Sequence, residues 1–281
     1  MKIAHLILAH SDPQQLGRLI NALQNSNAFF FIHIDKKTEL EPFRFLEKTE
    51  RVYFIKSRVK VAWGAYSIIQ ATLNGFKEIL ASGIGIEYIN LLSGADYPLT
   101  NAAKIHQFFE KHRDQNFMEY LSVFNEWKEA IPRLTEYHLT NYSFPGKYAV
   151  QKWLNRLSPA RKIPNDLIPV GRSQWFSISA DASKFILNYL EENPKVVRFF
   201  KLTWAPDEIL FQTILYNSEF KKQLINNNLR YIDWSAGKAS PEILTLSDLP
   251  KLHASSALFA RKFSMVRHPE IMDQLDIEFE N

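Results

Sequence analysis

The sequence of 281 residues contains no cysteine, which excludes disulfide bonds and metal sites built on thiolates. A chain without cysteine fits a reducing compartment. It also has no apolar run of membrane-spanning length: the apolar stretch at residues 1–10 is too short and carries two histidines. We therefore expect neither a transmembrane span nor a signal peptide. These absences predict a cytoplasmic protein that contacts the inner membrane at most peripherally.

Several motifs that bind nucleotides or metals are absent as well. There is no Gly-x-x-x-x-Gly-Lys-Ser/Thr loop and no Gly-x-Gly-x-x-Gly, which argues against kinases, ATPases and dinucleotide enzymes. The sequence has no His-Glu-x-x-His and no Asp-x-Asp triplet. Many nucleotide-sugar transferases use that triplet to hold a divalent metal on the donor diphosphate. A transferase with this sequence needs cationic side chains to neutralise the leaving diphosphate instead.

The composition is otherwise that of an ordinary globular chain, with 46% hydrophobic and 23% charged residues, enough to bury a substantial core. The net charge is +4 and the pI is about 9.0. This mild basic bias suits an anionic ligand such as a nucleotide diphosphate, or an anionic membrane surface. We expect no nucleic-acid partner, because the sequence has neither an Arg-rich arm nor a nucleic-acid-binding motif.

Short apolar runs that end at turn residues alternate with helical periodicity through the first 110 residues. This alternation predicts an α/β fold with a mostly parallel central sheet flanked by helices. Residues 122–168 follow the pattern poorly, and we interpret them as a variable insertion within one domain that spans residues 1–281. The predicted elements are strands at 3–9, 29–35, 52–55, 88–92, 117–120 (an edge strand), 174–179 and 229–233, and helices at 42–48, 66–80, 102–111, 181–190 and 206–216.

Polar residues lie at the ends of three of the predicted strands. They are His10, the segment Asp35-Lys36-Lys37, and the loop Ser93-Gly94-Ala95-Asp96. Ligands of parallel α/β sheets bind beyond the carboxyl ends of the strands, so these segments are candidate ligand sites. The alternative is that they are ordinary polar loops, since strand ends are polar in any case.

The stretch Trp204-Ala205-Pro206-Asp207-Glu208 is typical of a helix start. Pro206 suits the first turn, and both acids lie where the helix dipole favours anions. A carboxylate at such an entrance, in an aromatic setting, is a candidate general base. The alternative is that Asp207 and Glu208 only cap the helix.

Nine segments in order resemble the core-2/I-branching N-acetylglucosaminyltransferase family, which includes peptide xylosyltransferases. Residues 122–168 match poorly. The nine segments are Leu8-Ala9-His10, His33-Ile34-Asp35-Lys36-Lys37, Val61-Ala62-Trp63-Gly64, Asn90-Leu91-Leu92-Ser93-Gly94-Ala95-Asp96-Tyr97-Pro98, Asn116-Phe117-Met118-Glu119, Gly171-Arg172-Ser173-Gln174-Trp175-Phe176, Pro206-Asp207-Glu208, Tyr231-Ile232-Asp233-Trp234 and Leu258-Phe259-Ala260-Arg261-Lys262-Phe263.

The resemblance implies a GT-A-like fold that works without a metal or another cofactor, in agreement with the missing Asp-x-Asp triplet. It implies inverting transfer from a UDP-sugar to a sugar hydroxyl, with Glu208 as the catalytic base and Asp207 as the acid of the helix start. An inverting transfer needs one ionised carboxylate on the acceptor side, which fits this assignment.

The resemblance also implies donor-binding residues. His10, Asp35 and Trp63 match positions that hold uridine, although a strand-end histidine bonded to backbone is an alternative for His10. Lys262 matches one member of a basic pair on the diphosphate. Lys238 aligns near the second member, with Arg261 in reserve; a solvated basic pair is the alternative for Arg261 and Lys262.

On the acceptor side, Glu119 and Trp234 match positions that contact sugar. Ser173 and Trp175 border the same site, and Trp175 could equally belong to the core. Asp96 is a further candidate, which would orient a loop or contact the donor sugar. Residues 122–168 are expected to set acceptor specificity, so the acceptor of the family does not carry over.

The resulting hypothesis is a metal-independent inverting glycosyltransferase that moves N-acetylglucosamine to a glycan or glycolipid. A xylosyltransferase is the enzymatic alternative. A carbohydrate- or nucleotide-binding protein without catalysis is the alternative from another class.

Overall fold

The structure is a computed structural model that describes residues 1–280, and for Glu280 only the backbone. Its strands are β1 (Ile3–Ala9), β2 (Ala28–Ile34), β3 (Val52–Phe54), β4 (Tyr88–Ser93), β5 (Asp96–Pro98), β6 (Asn116–Ser122), β7 (Val170–Ser179), β8 (Leu224–Asn226), β9 (Arg230–Ile232) and β10 (Phe259–Arg261). Its α-helices are α1 (Pro13–Ala22), α2 (Tyr66–Ala81), α3 (Ala102–Lys111), α4 (Ile131–Thr135), α5 (Lys147–Leu157), α6 (Ala180–Glu192), α7 (Pro194–Lys201), α8 (Leu210–Tyr216), α9 (Leu249–Ala254) and α10 (Pro269–Glu280).

Seven strands form the central sheet in the order β3-β2-β1-β4-β7-β6-β8, and β5-β10-β9 form a second, smaller sheet. In the central sheet, β7 runs antiparallel to both β4 and β6, and the other neighbours are parallel. The predicted α/β fold with a mostly parallel central sheet is thus confirmed. Since β1, β2 and β4 are parallel and in register, the segments that follow them leave the sheet at one common edge.

The central sheet lies between two apolar layers, and β1 shows why this sequence forms such a strand. Ala4 and Leu6 pack into the layer that contains α2, α6 and α8, whereas Ile3 and Ile7 pack into the layer that contains α1, α3 and α10. Successive side chains of a strand point to opposite faces, so a nearly continuous apolar run serves both layers. Burying a leucine or isoleucine side chain of this strand stabilises the fold by about 1.5–3 kcal/mol.

A buried polar network joins the two sheets. The Asn90 side chain on β4 bonds to His5 Nδ1 at 3.1 Å and accepts from Ser177 Oγ at 2.8 Å. Arg230 on β9 donates to Ser177 Oγ at 3.0 Å and to the Leu91 carbonyl at 2.8 Å. Burial lowers the pKa of His5 to about 3, with His106 and Arg230 adding to the effect. His5 is therefore a neutral member of the core, and Arg230 fixes the small sheet against the large one.

Two predicted elements were wrong in detail. The strand at 117–120 is not an edge strand, because β6 lies between β7 and the short strand β8, which the sequence did not reveal. The helix predicted at 206–216 is divided into a 3-10 turn, Pro206–Glu208, and helix α8. Ile209 separates them with φ −127° and ψ −44°, outside helical geometry. Among the described helices, none is both long enough and apolar enough to cross a membrane.

Candidate active site

The site begins at the common edge where β1 and β2 end. The Asp35 carboxylate accepts from the backbone N–H of Lys37 at 2.9 Å and from that of Val61 at 3.4 Å. Next to it, the carbonyl of His10 accepts from Thr38 Oγ1 at 3.0 Å. Asp35 is buried whereas His10 is exposed. The Asp35 carboxylate therefore fastens the loop that begins at Val61 to the end of β2.

That loop brings Trp63 against the segment before Glu208. The rings of Trp63 and Trp204 meet edge to face at 5.6 Å, and the Ala205 N–H donates to the Gly64 carbonyl at 2.9 Å. Gly64 has φ +67°, and a Cβ at this position would lie 2.8 Å from Trp204 Nε1, so only glycine fits. Trp63 itself is 66% exposed. Its indole face is available to a planar ligand at the edge of the sheet.

Glu208 ends the 3-10 turn, which is pressed against β7 at Gly171. A Cβ on Gly171 would lie 2.1 Å from the carbonyl oxygen of Glu208 and 2.7 Å from Ile209 Cα. The absence of a side chain is thus what allows β7 to approach the turn so closely. This contact fixes the backbone of Glu208 relative to the sheet.

The Glu208 side chain is held by an arginine that the sequence did not point to. Arg133 Nη1, on α4, lies 2.5 Å from Glu208 Oε2. The guanidinium is stacked between two indoles, 4.6 Å from the ring of Trp127 and 4.5 Å from that of Trp204. Cation–π contacts on both faces restrict the guanidinium and hence the carboxylate that it pairs with. The Glu208 side chain keeps 30% of its surface exposed, so one side of it can meet a ligand.

Asp207 does not cap the helix, and that prediction was wrong. Neither the turn nor α8 receives a side-chain capping bond, and Asp207 Oδ1 is buried without a hydrogen-bond partner among residues 1–280. Burial raises the pKa of Asp207 to about 7, Glu208 adds to the rise, and Arg133 opposes it. Two carboxyl groups adjacent in sequence thus have different surroundings: Asp207 is desolvated, and Glu208 is paired with a cation.

A second carboxylate, Glu119 on β6, lies on the same side of the site. Asn228 Nδ2 donates to Glu119 Oε2 at 2.9 Å and to Ser173 Oγ at 3.1 Å, which links β6 to β7. Burial raises the pKa of Glu119; Arg172 opposes this, and the charge of Glu208 adds to it. Glu119 and Glu208 are therefore close enough to influence each other electrostatically.

Trp175, on the same strand as Ser173, contacts the small sheet through Arg261. It is buried, and the Arg261 guanidinium lies 4.4 Å from its ring. Arg261 pairs across β10 and β5 with Asp96, and Arg261 Nε lies 3.4 Å from Asp96 Oδ1. Burial raises the pKa of Asp96 and lowers that of Arg261, while each charge opposes the other's shift. Arg261 is thus largely committed to Asp96 and Trp175.

Lys262, the next residue, lies beside the loop that follows β4. The Phe263 N–H donates to the Ala95 carbonyl at 2.9 Å, and the Gly94 N–H donates to the Leu8 carbonyl at 3.0 Å. This chain of contacts places the backbone of Lys262 near the ends of β4 and β1. Within the described part of the chain, no ion pair or hydrogen bond engages the Lys262 amine.

Lys238 and Trp234 lie apart from these contacts, in a loop whose residues 234–240 are all exposed. Lys238 Nζ is paired with Glu242 Oε1 at 2.9 Å. The segment after this loop bonds to the Lys262 backbone: the Lys262 N–H donates to the Glu242 carbonyl at 3.4 Å, and the Leu244 N–H donates to the Lys262 carbonyl at 2.9 Å. Among residues 1–280, no hydrogen bond or ion pair joins the Trp234 or Lys238 side chain to the residues at the edge where Asp35 and Glu208 lie.

The contacts above bring together most of the residues that the sequence singled out, and their roles stay predictions. These are His10, Asp35, Trp63, Asp96, Glu119, Ser173, Trp175, Glu208 and Arg261, with Lys262 adjacent. Sequence reasoning missed Arg133, Trp127 and Asn228. Arg133 and Trp127 lie in the segment without clear periodicity, and Asn228 lies next to a predicted strand, where a conformational role is the ordinary expectation.

A protein metal site needs several ligating side chains close together. Across residues 1–280, no three His, Asp or Glu side chains are grouped so that they could hold a metal ion. The use of a metal by the protein is not decided by this, and metal independence stays a prediction.

A family model described as "Core-2/I-Branching enzyme" matches residues 3–253. The chain belongs to the Core-2/I-Branching enzyme family. The predicted relationship is therefore confirmed.

Two curated relatives are a xylosyltransferase of Ciona intestinalis and xylosyltransferase 2 of Rattus norvegicus. The first is 24% identical over 304 residues, covering 99% of this chain and 34% of that protein. The second is 27% identical over 303 residues, covering 98% of this chain and 33% of that protein. The chain thus spans about a third of the length of these relatives.

Two solved structures show a distant likeness to this chain. Mouse xyloside xylosyltransferase 1, in its apo form, gives a TM-score of 0.40 at 10% identity, covering 92% of this chain and 97% of that one. Core-mannan synthase A of Aspergillus fumigatus gives 0.40 at 10% identity, covering 80% and 72%. Scores at this level support no statement about function.

Proposed function

We propose that the protein is a metal-independent, inverting glycosyltransferase that moves a sugar from a UDP-sugar to a hydroxyl of a glycan or glycolipid. The observation that carries the proposal is the Glu208 carboxylate, which is partly exposed, held by Arg133, and located beside Glu119 at the ligand edge of an α/β sheet. Membership in the Core-2/I-Branching enzyme family supports it.

In the proposed reaction, Glu208 takes the proton of the acceptor hydroxyl as that oxygen attacks the anomeric carbon. The bond from this carbon to the UDP oxygen breaks on the opposite face, so the configuration inverts. Arg133 and the Gly171 contact keep the Glu208 carboxylate in one orientation. Such fixed geometry is how an enzyme lowers the entropic cost of bringing two reactants together.

Negative charge develops on the leaving diphosphate and needs a fixed cation nearby. We assign that role to Lys262, because Arg261 is occupied by Asp96 and Trp175 and Lys238 is paired with Glu242. Asp35 and His10 lie at the adjoining strand ends, where the nucleoside of the donor would bind. The exposed indole of Trp63 would stack on its base.

The acceptor sugar is proposed to bind between Glu119 and Glu208. The Glu119 carboxylate can accept hydrogen bonds from sugar hydroxyls, and Ser173 lies next to it through Asn228. Trp175 is covered by Arg261, so we expect it to shape this region from below rather than to stack on the sugar.

For the donor sugar, the resemblance in sequence favours N-acetylglucosamine. UDP-xylose is the second candidate, because the curated relatives above are named xylosyltransferases. A panel of UDP-sugars, followed by release of UDP with and without saccharide acceptors, separates the two. Binding of UDP without release from any donor would instead favour the non-catalytic alternative.

The base assignment is tested by Glu208→Gln, which keeps the shape and removes the proton acceptor. We expect transfer to fall by about a thousandfold. Glu119→Gln is the matched control, expected to weaken acceptor binding more than the rate at saturating acceptor. A larger loss of the saturated rate in Glu119→Gln than in Glu208→Gln would overturn the assignment. Activity that disappears with EDTA and returns with manganese would overturn metal independence.

A further inference from the structure

The segment 137–165 differs in charge from the rest of the chain. It contains no Asp or Glu and five basic residues, Lys147, Lys152, Arg156, Arg161 and Lys162. Since the net charge of the whole chain is +4, the other residues together are close to neutral. The basic excess of this protein is therefore concentrated in one stretch.

The same segment exposes an unusual amount of apolar surface. Tyr148, Trp153 and Leu157 are 74%, 64% and 62% exposed, and Phe144 and Val150 are exposed as well. None of the residues of α5 is buried. Isolated exposed apolar residues are normal, but several on one short helix and the turn before it mark an interaction surface.

Helix α5 is attached to the protein through its polar side. The Asn155 side chain accepts from the Tyr137 N–H at 2.7 Å and donates to the Tyr137 carbonyl at 3.0 Å. Gln151, one turn earlier, accepts from the Leu139 N–H at 2.9 Å. This is the reverse of an ordinary surface helix, which buries its apolar stripe and exposes its polar face.

The outward face of α5 is consequently apolar and bordered by cations. Val150, Trp153 and Leu157 follow one another at helical spacing, and all three are exposed. Lys152 and Arg156 are exposed on the same helix. Arg161, by contrast, is turned inward, with its guanidinium 4.0 Å from the Phe199 ring. The helix thus presents an aromatic and aliphatic stripe edged by positive charge.

We propose that this outward face of α5 docks on the surface of an anionic lipid bilayer. Trp153, Leu157 and Val150 would enter the boundary between headgroups and acyl chains, where indole rings are favoured. Lys152 and Arg156 would meet lipid phosphates.

Two other occupants fit the surface less well. A second copy would place two basic faces against each other, so like charges would repel. A nucleic acid would satisfy the cations but would leave Leu157 and Val150 without apolar partners.

The docking surface is close to the candidate active site along the chain. Tyr137, which is hydrogen-bonded to the Asn155 side chain, lies two residues after the end of α4. Helix α4 contains Arg133, which is paired with Glu208. Docking would therefore keep the candidate acceptor side near the membrane surface. The proposal goes beyond the proposed function and does not depend on it, because its test measures no transfer.

The test is flotation of the full chain with vesicles of phosphatidylcholine alone or mixed with phosphatidylglycerol. We expect the protein to float with the mixed vesicles, to float less at high salt, and to stay behind with phosphatidylcholine alone. Trp153→Ser with Leu157→Ser should weaken binding at least about tenfold. Lys152→Gln with Arg156→Gln should weaken binding about 25-fold, because each basic residue contributes about fivefold.

The matched control is Val266→Ser with Arg267→Gln, an exposed apolar and basic pair outside this segment. It should bind vesicles like the wild type, and all variants should keep the wild-type thermal unfolding midpoint because the exchanged residues are exposed. No flotation of the wild type, or equal flotation of the α5 variants, would overturn the proposal. Two further results would overturn it if the wild type does not bind vesicles. One is a dimer that the α5 substitutions abolish, and the other is oligonucleotide binding that they abolish.

Discussion

The candidate site has two halves, a proposed donor half and a proposed acceptor half, which are built in different ways. On the donor half, backbone groups at strand ends hold the ligand residues: Asp35 is fixed by two N–H groups, and the loop beside Lys262 is bonded to the end of β4. On the acceptor half, side chains hold one another, as Arg133 holds Glu208 and Asn228 holds Glu119. The donor half therefore comes with the fold, whereas the acceptor half depends on individual side chains and can change without it.

The largest expected effect concerns an acceptor-half contact that depends on backbone, Gly171 against the Glu208 carbonyl. Gly171→Ala would place a Cβ 2.1 Å from that oxygen, so β7 or the turn must move. We expect the free energy of unfolding to fall by about 5 kcal/mol in denaturant titrations. Gly83→Ala is the control: it has φ +71° and open space, and should cost about 1 kcal/mol. Similar costs for the two variants would contradict the close approach.

The next effect is on the pH dependence of the free energy of unfolding, and it tests the different surroundings of Asp207 and Glu208. The folded protein holds the Asp207 proton with a pKa of about 7, against 3.8 for the free side chain, so it binds this proton more tightly than the unfolded chain does. The tighter binding of this proton makes the free energy of unfolding fall as pH rises from about 4 to about 7. The fall is at most about 4 kcal/mol. Asp207→Asn should therefore be the more stable protein above that window and lose most of the advantage below it.

Urea titrations across this pH range, with the exposed Asp114→Asn as control, measure the difference. An Asp207→Asn variant whose stability follows the wild type at every pH would show that Asp207 is not desolvated.

The third effect separates the two lysines that the sequence predicts for the donor diphosphate. Lys262→Met should weaken UDP binding by about 10- to 100-fold, the equivalent of one charge-assisted hydrogen bond. Lys238→Met should change it less than about threefold, because its amine is paired with Glu242 in an exposed loop. Calorimetric titration with UDP measures both. The opposite ranking would mean that the loop at 234–240 closes on the donor.

The smallest effect examines the side-chain support of the acceptor half. Arg133→Met should slow transfer roughly tenfold without changing UDP affinity, because the Glu208 carboxylate loses its fixed orientation. The transfer rate of Arg133→Lys should lie between those of the wild type and Arg133→Met. The lysine amine keeps the charge but lacks the planar guanidinium that lies between two indoles. Faster transfer in Arg133→Met would show instead that Arg133 blocks the base.

The same contrast explains what the sequence could predict. His10, Asp35 and the loop ending at Asp96 were found because apolar strands with clear ends place their following residues at one edge of a parallel sheet. Arg133 was not found, because α4 is five residues long and lies in a segment without periodicity. Its importance comes from contacts with Trp204 and Glu208, which are distant in sequence, and with Trp127, which lies in the same segment without periodicity.

The split of the turn from α8 was missed for a related reason. Pro206, Asp207 and Glu208 have the residue types of a helix start, and local propensity does not report the pressure of β7 on the turn. Asp207 is also buried inside the turn, two residues after the N-cap Ala205, so its carboxyl group is not placed to cap a helix.

The measurement that tests the central claim most directly is UDP affinity in Glu208→Gln, determined by calorimetry on the protein whose transfer rate has been measured. If the two halves are separate, this variant loses transfer by about a thousandfold and binds UDP within about twofold of the wild type. Transfer that survives the substitution would contradict Glu208 as the base. Loss of UDP binding together with transfer would contradict the separation of the donor and acceptor halves.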